Sequence, residues 1–565
     1  MTHQTPNPFA VPITTALLPG ATIHAWIRAV TPGTAARIDV TVDRVEAGAL
    51  LAENSEEFTF CMLDVALGGS VVLSHDPRTT AVSALYVFQP ETAMEKGITV
   101  LAHAQANAPP ASLPLYHFTP PFGWMNDPNG FGRFGGKPHL FYQHYPHSLR
   151  WNTMHWGHAV SEDFLRWRHL PVFLLPNADL SQRPDGRGGA FSGSAIPADD
   201  SGIRVFFTEQ VKDRQPEEQN QWSAVSTDGL TAQPAVVVVP ERPPGLNLTL
   251  DFRDPYVVKG PDGLWKMLLG SRDRDGGIVL VYETLDPAGA TGWTYRGILH
   301  RENRFGMTAA ECPCILPLGP AEDSETRWAL IFALLTSRCP ETGRRNLTIA
   351  TVGRFDGGRF KPDFEQELDF ATDAYAFQGF VDGEDRVMIA WLANWTDVSK
   401  KEDFQSAMTL PRRILLKDGA VHTPPIDAVD SLRRGRLDDG ALAVGDVLPL
   451  SEGAVEIFLD LTQAGAPFRL DIDHPDVTLG VMQDQDGLAI VYQEPNARPA
   501  PRYLARGAAA RSIRIFLDRG SIEVFADGGR WAGTKRLATF APARSAQLVS
   551  GTDNLRQTSV WHLGL

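Results

Sequence analysis

Apolar residues recur along this chain in short runs that alternate with polar ones and stop at Gly, Pro, Asn or Asp. Examples are ARIDVTVDRV, HLFYQH, IRVFFTE, LWKMLLG, GIVLVYE, WALIFALL, RVMIAWL, SIRIFLD and SIEVFAD. A two-residue period suits a strand with one buried face, and the turn residues between runs mark hairpins. Long stretches with the 3.6-residue period of a helix are scarce. The pattern predicts an all-β protein.

Between residues 113 and 425 the runs fall into a loose repeat. A polar motif opens each unit: Asp127 in GWMNDPNGF, Ser192 in FSGSAI, Asp254 in FRDPYVV, Glu311 in AECPCIL and Tyr375 in AYAFQGF. Successive starts are 65, 62, 57 and 64 residues apart. A second strand follows each motif, and MHWGHAVSED, QWSAVSTDG, GIVLVYETLD and NLTIATVG align as third strands. Five units of about four strands each predict a five-bladed β-propeller. Equivalent positions of successive blades face one axis, so the five motifs would meet in one pocket. Residues 1–112 are read as an N-terminal β-rich domain that leaves through HAQANAPPASLP. Residues 426–450 are read as a linker and 451–565 as a C-terminal β-sandwich.

Composition narrows the partners. The chain has 565 residues, enough for several domains, and a net charge of -15. Nucleic acid and anionic membrane surfaces need a basic footprint, so neither is expected as a partner. A neutral small molecule is compatible with that charge. No apolar run is long enough to span a bilayer. MTHQTPNPFAVPITTALLPG has no basic stretch followed by a long apolar one, so a secretory signal is not expected. Cys61, Cys312, Cys314 and Cys339 form no CxxC framework, which predicts neither a zinc site nor a disulfide scaffold. These features together suggest the cytoplasm. Any homo-oligomer is expected to form through residues 1–112.

The acidic motifs carry the candidate chemistry. Asp-Pro-Asn-Gly alone is a good turn. Arg253-Asp254 alone could be a surface ion pair, and Glu311 alone a solvated edge residue. Their common phase in the repeat favours a shared site. An arginine beside Asp254 would keep that carboxylate ionised. Glu311 has no adjacent cation and precedes Cys312 and Pro313; a desolvated carboxyl there would hold its proton, as a general acid must.

In the same order, YHFTPPFGWMNDPNG, FYQHYPHSLRWNTMHWGHAVSEDFLRWRHLP, FSGSA, FRDP, ECP, LDFATDAYA and MTLPRR resemble the motifs of glycoside hydrolase family 32, the invertases, inulinases and levanases. IRIFLDRGSIEVFADGG resembles the family's sandwich. The resemblance implies a five-bladed propeller joined to a sandwich, with no metal or cofactor. It implies Asp127 as nucleophile, Glu311 as acid/base and Asp254 as transition-state stabiliser. Asn126, Gln143, Trp151, Phe191, Ser192, Arg253, Tyr375 and Trp391 are the implied fructose-pocket residues, and Trp124 is a candidate for the pocket floor. Ordinary core packing is the competing reading for Trp151 and for Trp391, which lies in an apolar strand. The implied reaction is hydrolysis of sucrose or a short fructo-oligosaccharide. A fructosyltransferase, a non-catalytic sugar-binding paralogue and an inverting arabinan-type propeller enzyme remain alternatives. Ala310, Cys314 and Ala374 depart from the family pattern at positions expected to shape the outer pocket.

Overall fold

A computed structural model describes residues 11–104, 113–177, 180, 188–198, 202–398, 406–440, 442–450, 454–495 and 502–565. Most of HAQANAPPASLP lies outside them. The protein is all-β, with strands joined into successive antiparallel sheets. Among the described residues no helix is long and apolar enough to cross a membrane.

Residues 11–103 fold into two four-stranded sheets. Strand Ala21–Ala29 is buried on both faces. Its Ile23, Ala25 and Ile27 pack between the two sheets against Ile38, Val40 and Leu73. Its other face places Trp26 with Tyr86, Phe122 and Leu170, the last two from the region that follows. The Tyr86 hydroxyl accepts a hydrogen bond from the Val172 amide at 3.0 Å.

Five further sheets follow in chain order, four with four strands and the fifth with three among the described residues. Their first strands are Trp124–Phe134, Gly188–Pro197, Phe252–Lys259, Ala309–Pro317 and Tyr375–Asp382. Each first strand packs against the next, and the fifth returns to the first, so the sheets close a ring. A hydrogen bond of 2.9 Å from Met408 N to Phe118 O ties the end of the ring to its beginning. The third strand of the last sheet is only Arg412–Arg413. Pro411 precedes it and lacks a ladder donor.

The C-terminal region is two six-stranded sheets. Val455, Ile457 and Leu459 meet Leu470, Ile472 and Val481 in the core between them. Residues 426–450 are not a linker. Arg433–Gly440 pairs with Leu555–Leu563, and Val447–Pro449 pairs with Ser545–Ser550. Arg433–Gly440 turns most side chains to solvent, so backbone bonds place it and no apolar alternation announces it.

Candidate active site

One local irregularity recurs in all five inner strands. The pairing slips by one residue between Met125 and Pro128, Ala190 and Gly193, Arg253 and Tyr256, Glu311 and Cys314, and Tyr375 and Gln378. Each slip is a β-bulge, which bends the strand and re-aims a side chain. Asp254, Cys312 and Ala376, all in bulges, have φ of 62°, 49° and 57°. Non-glycine residues hold such angles only where the surroundings enforce them. The sequence repeat is therefore a repeat of bulges, and it aims one motif per sheet at a common axis.

The bulges surround a cavity of about 370 Å³. Asp127, Asp254 and Glu311 line it together with Asn126, Gln143, Trp151, Phe191, Ser192 and Arg253. Trp124, Tyr375 and Trp391 sit behind this wall, buried. Trp124 donates its indole N–H to Asn126 Oδ1 at 2.7 Å, and Trp391 donates to Ser406 Oγ at 2.8 Å. Tyr375 reaches the site through its hydroxyl, which donates to Glu311 Oε2. Gln219, Leu335 and Trp395 also line the cavity and were not expected. Trp395 packs on Trp391 and Trp124 at ring-centroid distances of 5.0 and 6.2 Å. A second aromatic residue four positions after Trp391 was the available signal. Gln219 and Leu335 gave none, because they come from neighbouring strands rather than the motifs.

The three acids are linked. Ser192 Oγ donates to Asp127 Oδ2 at 2.8 Å. Cys312 spans two of them: its N–H donates to Asp254 Oδ2 at 2.8 Å, and its thiol lies 3.5 Å from Asp127 Oδ2. Arg253 donates to Glu311 Oε1 at 2.8 Å and to Asp251 Oδ1 at 2.6 Å. This corrects the expected pairing. The bulge turns Arg253 and Asp254 apart, so the cation bonds the glutamate of the next sheet. Burial, and then the charge of Glu311, push the Asp127 carboxyl up to about 6. Burial pushes Asp254 up to about 7; Arg253 opposes the shift and Glu311 adds to it.

Ala310, Cys314 and Ala374 are not on the rim. They are 2%, 1% and 1% exposed and pack in one core cluster behind the site. Among the described residues, His300, Glu302 and Glu365 also bring their ligand atoms within 4.8 Å of one another. The Arg304 guanidinium bonds both of its carboxylates and supplies the positive charge there.

The sequence profile of the glycosyl hydrolases family 32 N-terminal domain matches residues 117–425, and that of the family 32 C-terminal region matches 447–562. The chain is 31% identical to raffinose invertase of Escherichia coli over 80% of this chain and 95% of that one. It is 29% identical to sucrose-6-phosphate hydrolase of Escherichia coli, with the same coverage. A family 32 structure from Bifidobacterium adolescentis superposes with a TM-score of 0.85 at 21% identity. It covers 98% of this chain and 99% of that one, so its fold takes in the N-terminal sheets. A Bombyx mori family 32 β-fructofuranosidase, solved as a mutant with sucrose, superposes with a TM-score of 0.67 at 26% identity, covering 81% of this chain and 95% of that one. The chain therefore belongs to glycoside hydrolase family 32 and is a glycoside hydrolase.

Proposed function

We propose that the ring is a five-bladed propeller and that the enzyme is a retaining β-fructofuranosidase acting on sucrose or short fructo-oligosaccharides. One observation carries this reading: equivalent bulges of the first, third and fourth sheets bring Asp127, Asp254 and Glu311 into one cavity. The names of the related enzymes support fructosides as the substrate class.

Asp127 attacks C2 of the fructosyl unit while Glu311 gives its proton to the glycosidic oxygen. The C2–O bond breaks, the leaving sugar departs as an alcohol, and a fructosyl ester forms on Asp127. Glu311, now a carboxylate, takes a proton from water. The resulting hydroxide character attacks C2, and the ester bond breaks to return Asp127 as a carboxylate. Asp254 stabilises the positive charge that builds on the ring in both steps. Arg253 and Tyr375 donate to the charged form of Glu311, which suits its role as base in the second half. In the first half Glu311 must carry the proton that the departing oxygen receives. Trp151 and Phe191 cover the apolar edge of the furanose, while Asn126, Gln143 and Ser192 read its hydroxyls.

The test is the anomeric form of the first-released fructose, followed by NMR during hydrolysis of sucrose. Retention gives the β form first. An α product at early times would overturn the reading. Assays on sucrose, sucrose 6-phosphate, 1-kestose, inulin and levan would then name the preferred substrate.

A further inference from the structure

A second cavity, of about 280 Å³, lies where the N-terminal sheets meet the first sheet of the ring. Trp26, Glu57 and Phe60 form one wall; Tyr145, Thr153 and His155 form the other. Neither region makes this cavity alone. Its lining combines aromatic rings with a carboxyl, a hydroxyl and an imidazole. That is the mixture that holds a sugar, whose C–H faces pack on rings while its hydroxyls take hydrogen bonds. Phe60 is half-buried and Tyr145 nearly buried.

The two cavities share a partition. Trp151 lines the catalytic cavity and Thr153 lines this one. Residues two apart have Cα atoms within about 7 Å. Tyr145, on the far side, belongs to the aromatic cluster that backs the catalytic cavity with Trp124 and Trp151. The partition is fixed at its end, where Met154 N donates to Gly188 O at 2.9 Å and Met154 O accepts from Ala190 N at 3.0 Å. The N-terminal sheets hold it from outside: Phe58 stacks on His147 at 4.7 Å, and Ser83 Oγ lies 2.7 Å from His147 Nδ1.

We propose that this cavity is a remote subsite for a short fructo-oligosaccharide, holding a sugar ring beyond the unit bonded to the departing oxygen. The proposal rests on the fructosidase reading above and assigns the N-terminal sheets a part in choosing chain length.

The experiment compares kcat/KM for sucrose, 1-kestose and nystose in the full-length enzyme, Glu57→Gln and Phe60→Ala. Glu57→Gln is nearly isosteric and guards against loss of folding in Phe60→Ala. The expected result is a fall of about 10-fold for the oligosaccharides in both variants with sucrose unchanged. An unchanged oligosaccharide-to-sucrose ratio in Glu57→Gln and in folded Phe60→Ala overturns the subsite. If the unaltered enzyme turns over none of these sugars, the fructosidase reading falls separately. Titration calorimetry with nystose then decides the subsite, and a Kd unaffected by both substitutions overturns it.

Discussion

Two buried groups of carboxylates in this molecule are built on opposite plans. One lines the cavity proposed as the active site. The other lies between the ring and the C-terminal sandwich. There Asp518 Oδ2 and Glu523 Oε1 each sit 2.8 Å from a nitrogen of His117. Arg412 donates to Glu523 Oε2 at 2.8 Å, and Lys535 pairs with Asp373. Burial opposes the charge on His117, but the two acids outweigh it and raise the imidazole to about 9. Burial likewise opposes the charge on Glu523, and His117 and Arg412 overcome it, so this carboxyl stays below its ordinary range. Asp369, 3.3 Å from Arg412, is the exception, since burial lifts it to about 6. In the catalytic cavity one guanidinium serves the cluster and bonds only Glu311 among the three acids. Asp127 Oδ1 makes no hydrogen bond of ordinary geometry, although the Asn126 amide lies near enough to favour its charged form. Paired acids glue two domains together. Underpaired acids remain reactive at the expense of stability.

Matched substitutions test this contrast most severely. Asp127→Asn should cut kcat by about 10⁴-fold or more while leaving the melting temperature equal or higher, because it removes an under-compensated buried charge. Steady-state kinetics and calorimetry read both effects. Glu523→Gln should do the reverse. It should cost about 3–5 kcal/mol in chemical denaturation, leaving His117 and Arg412 short of a partner, with turnover per folded molecule retained. Exchange of these two phenotypes would abolish the contrast.

The two clusters should also answer pH differently. On the proposed mechanism Asp127 must be ionised to attack, so kcat/KM should fall about tenfold per pH unit below its value of about 6. For stability the sign is set by the same shift. The folded-state values of Asp127 and Asp254 exceed the ordinary aspartate value, so their contribution is fullest at low pH and is lost as pH rises through about 6 and 7. His117 is also raised in the folded state, so its contribution is complete below about 6.5 and is lost as pH rises through about 9. Thermal melts of Asp127→Asn and His117→Gln across this range should each lose the corresponding slope.

The smallest effect belongs to Tyr375→Phe. It removes one donor to Glu311 from a buried position and leaves the ring packing in place. We expect a loss of about 10-fold in kcat with little change in melting temperature. A loss as large as that of Asp127→Asn would mean that the phenol takes part in proton transfer itself.

Strand positions and the shared phase of the motifs were legible because a half-buried strand writes its period into the side chains. The bulges were not, since a slipped register is a backbone event. That is why Arg253 reads as the bonded partner of Asp254 but hydrogen-bonds a residue 58 positions away, acting on Asp254 only through its charge. Ala310 and Cys314 were misplaced on the rim for a related reason. A single sequence gives the residue type at a motif but not the depth at which the motif sits. The exposed strand Arg433–Gly440 escaped because only its backbone is in the sheet. The burial of Trp26 against Phe122, Val160 and Leu170 was not legible residue by residue, because those partners come from a distant region of the same chain.

Closure of the ring has a kinetic consequence. The first acid comes from its first sheet, and the tyrosine that holds the last acid comes from its fifth, so no incomplete chain can assemble the site. The hydrogen bond from Met408 to Phe118 spans nearly the whole ring and is among the most costly in loop entropy. Contacts of such long range slow folding and form late. During refolding, strand signals should therefore recover first, and the ability to cleave a glycosidic bond should return in a single later phase that reports the meeting of the two ends.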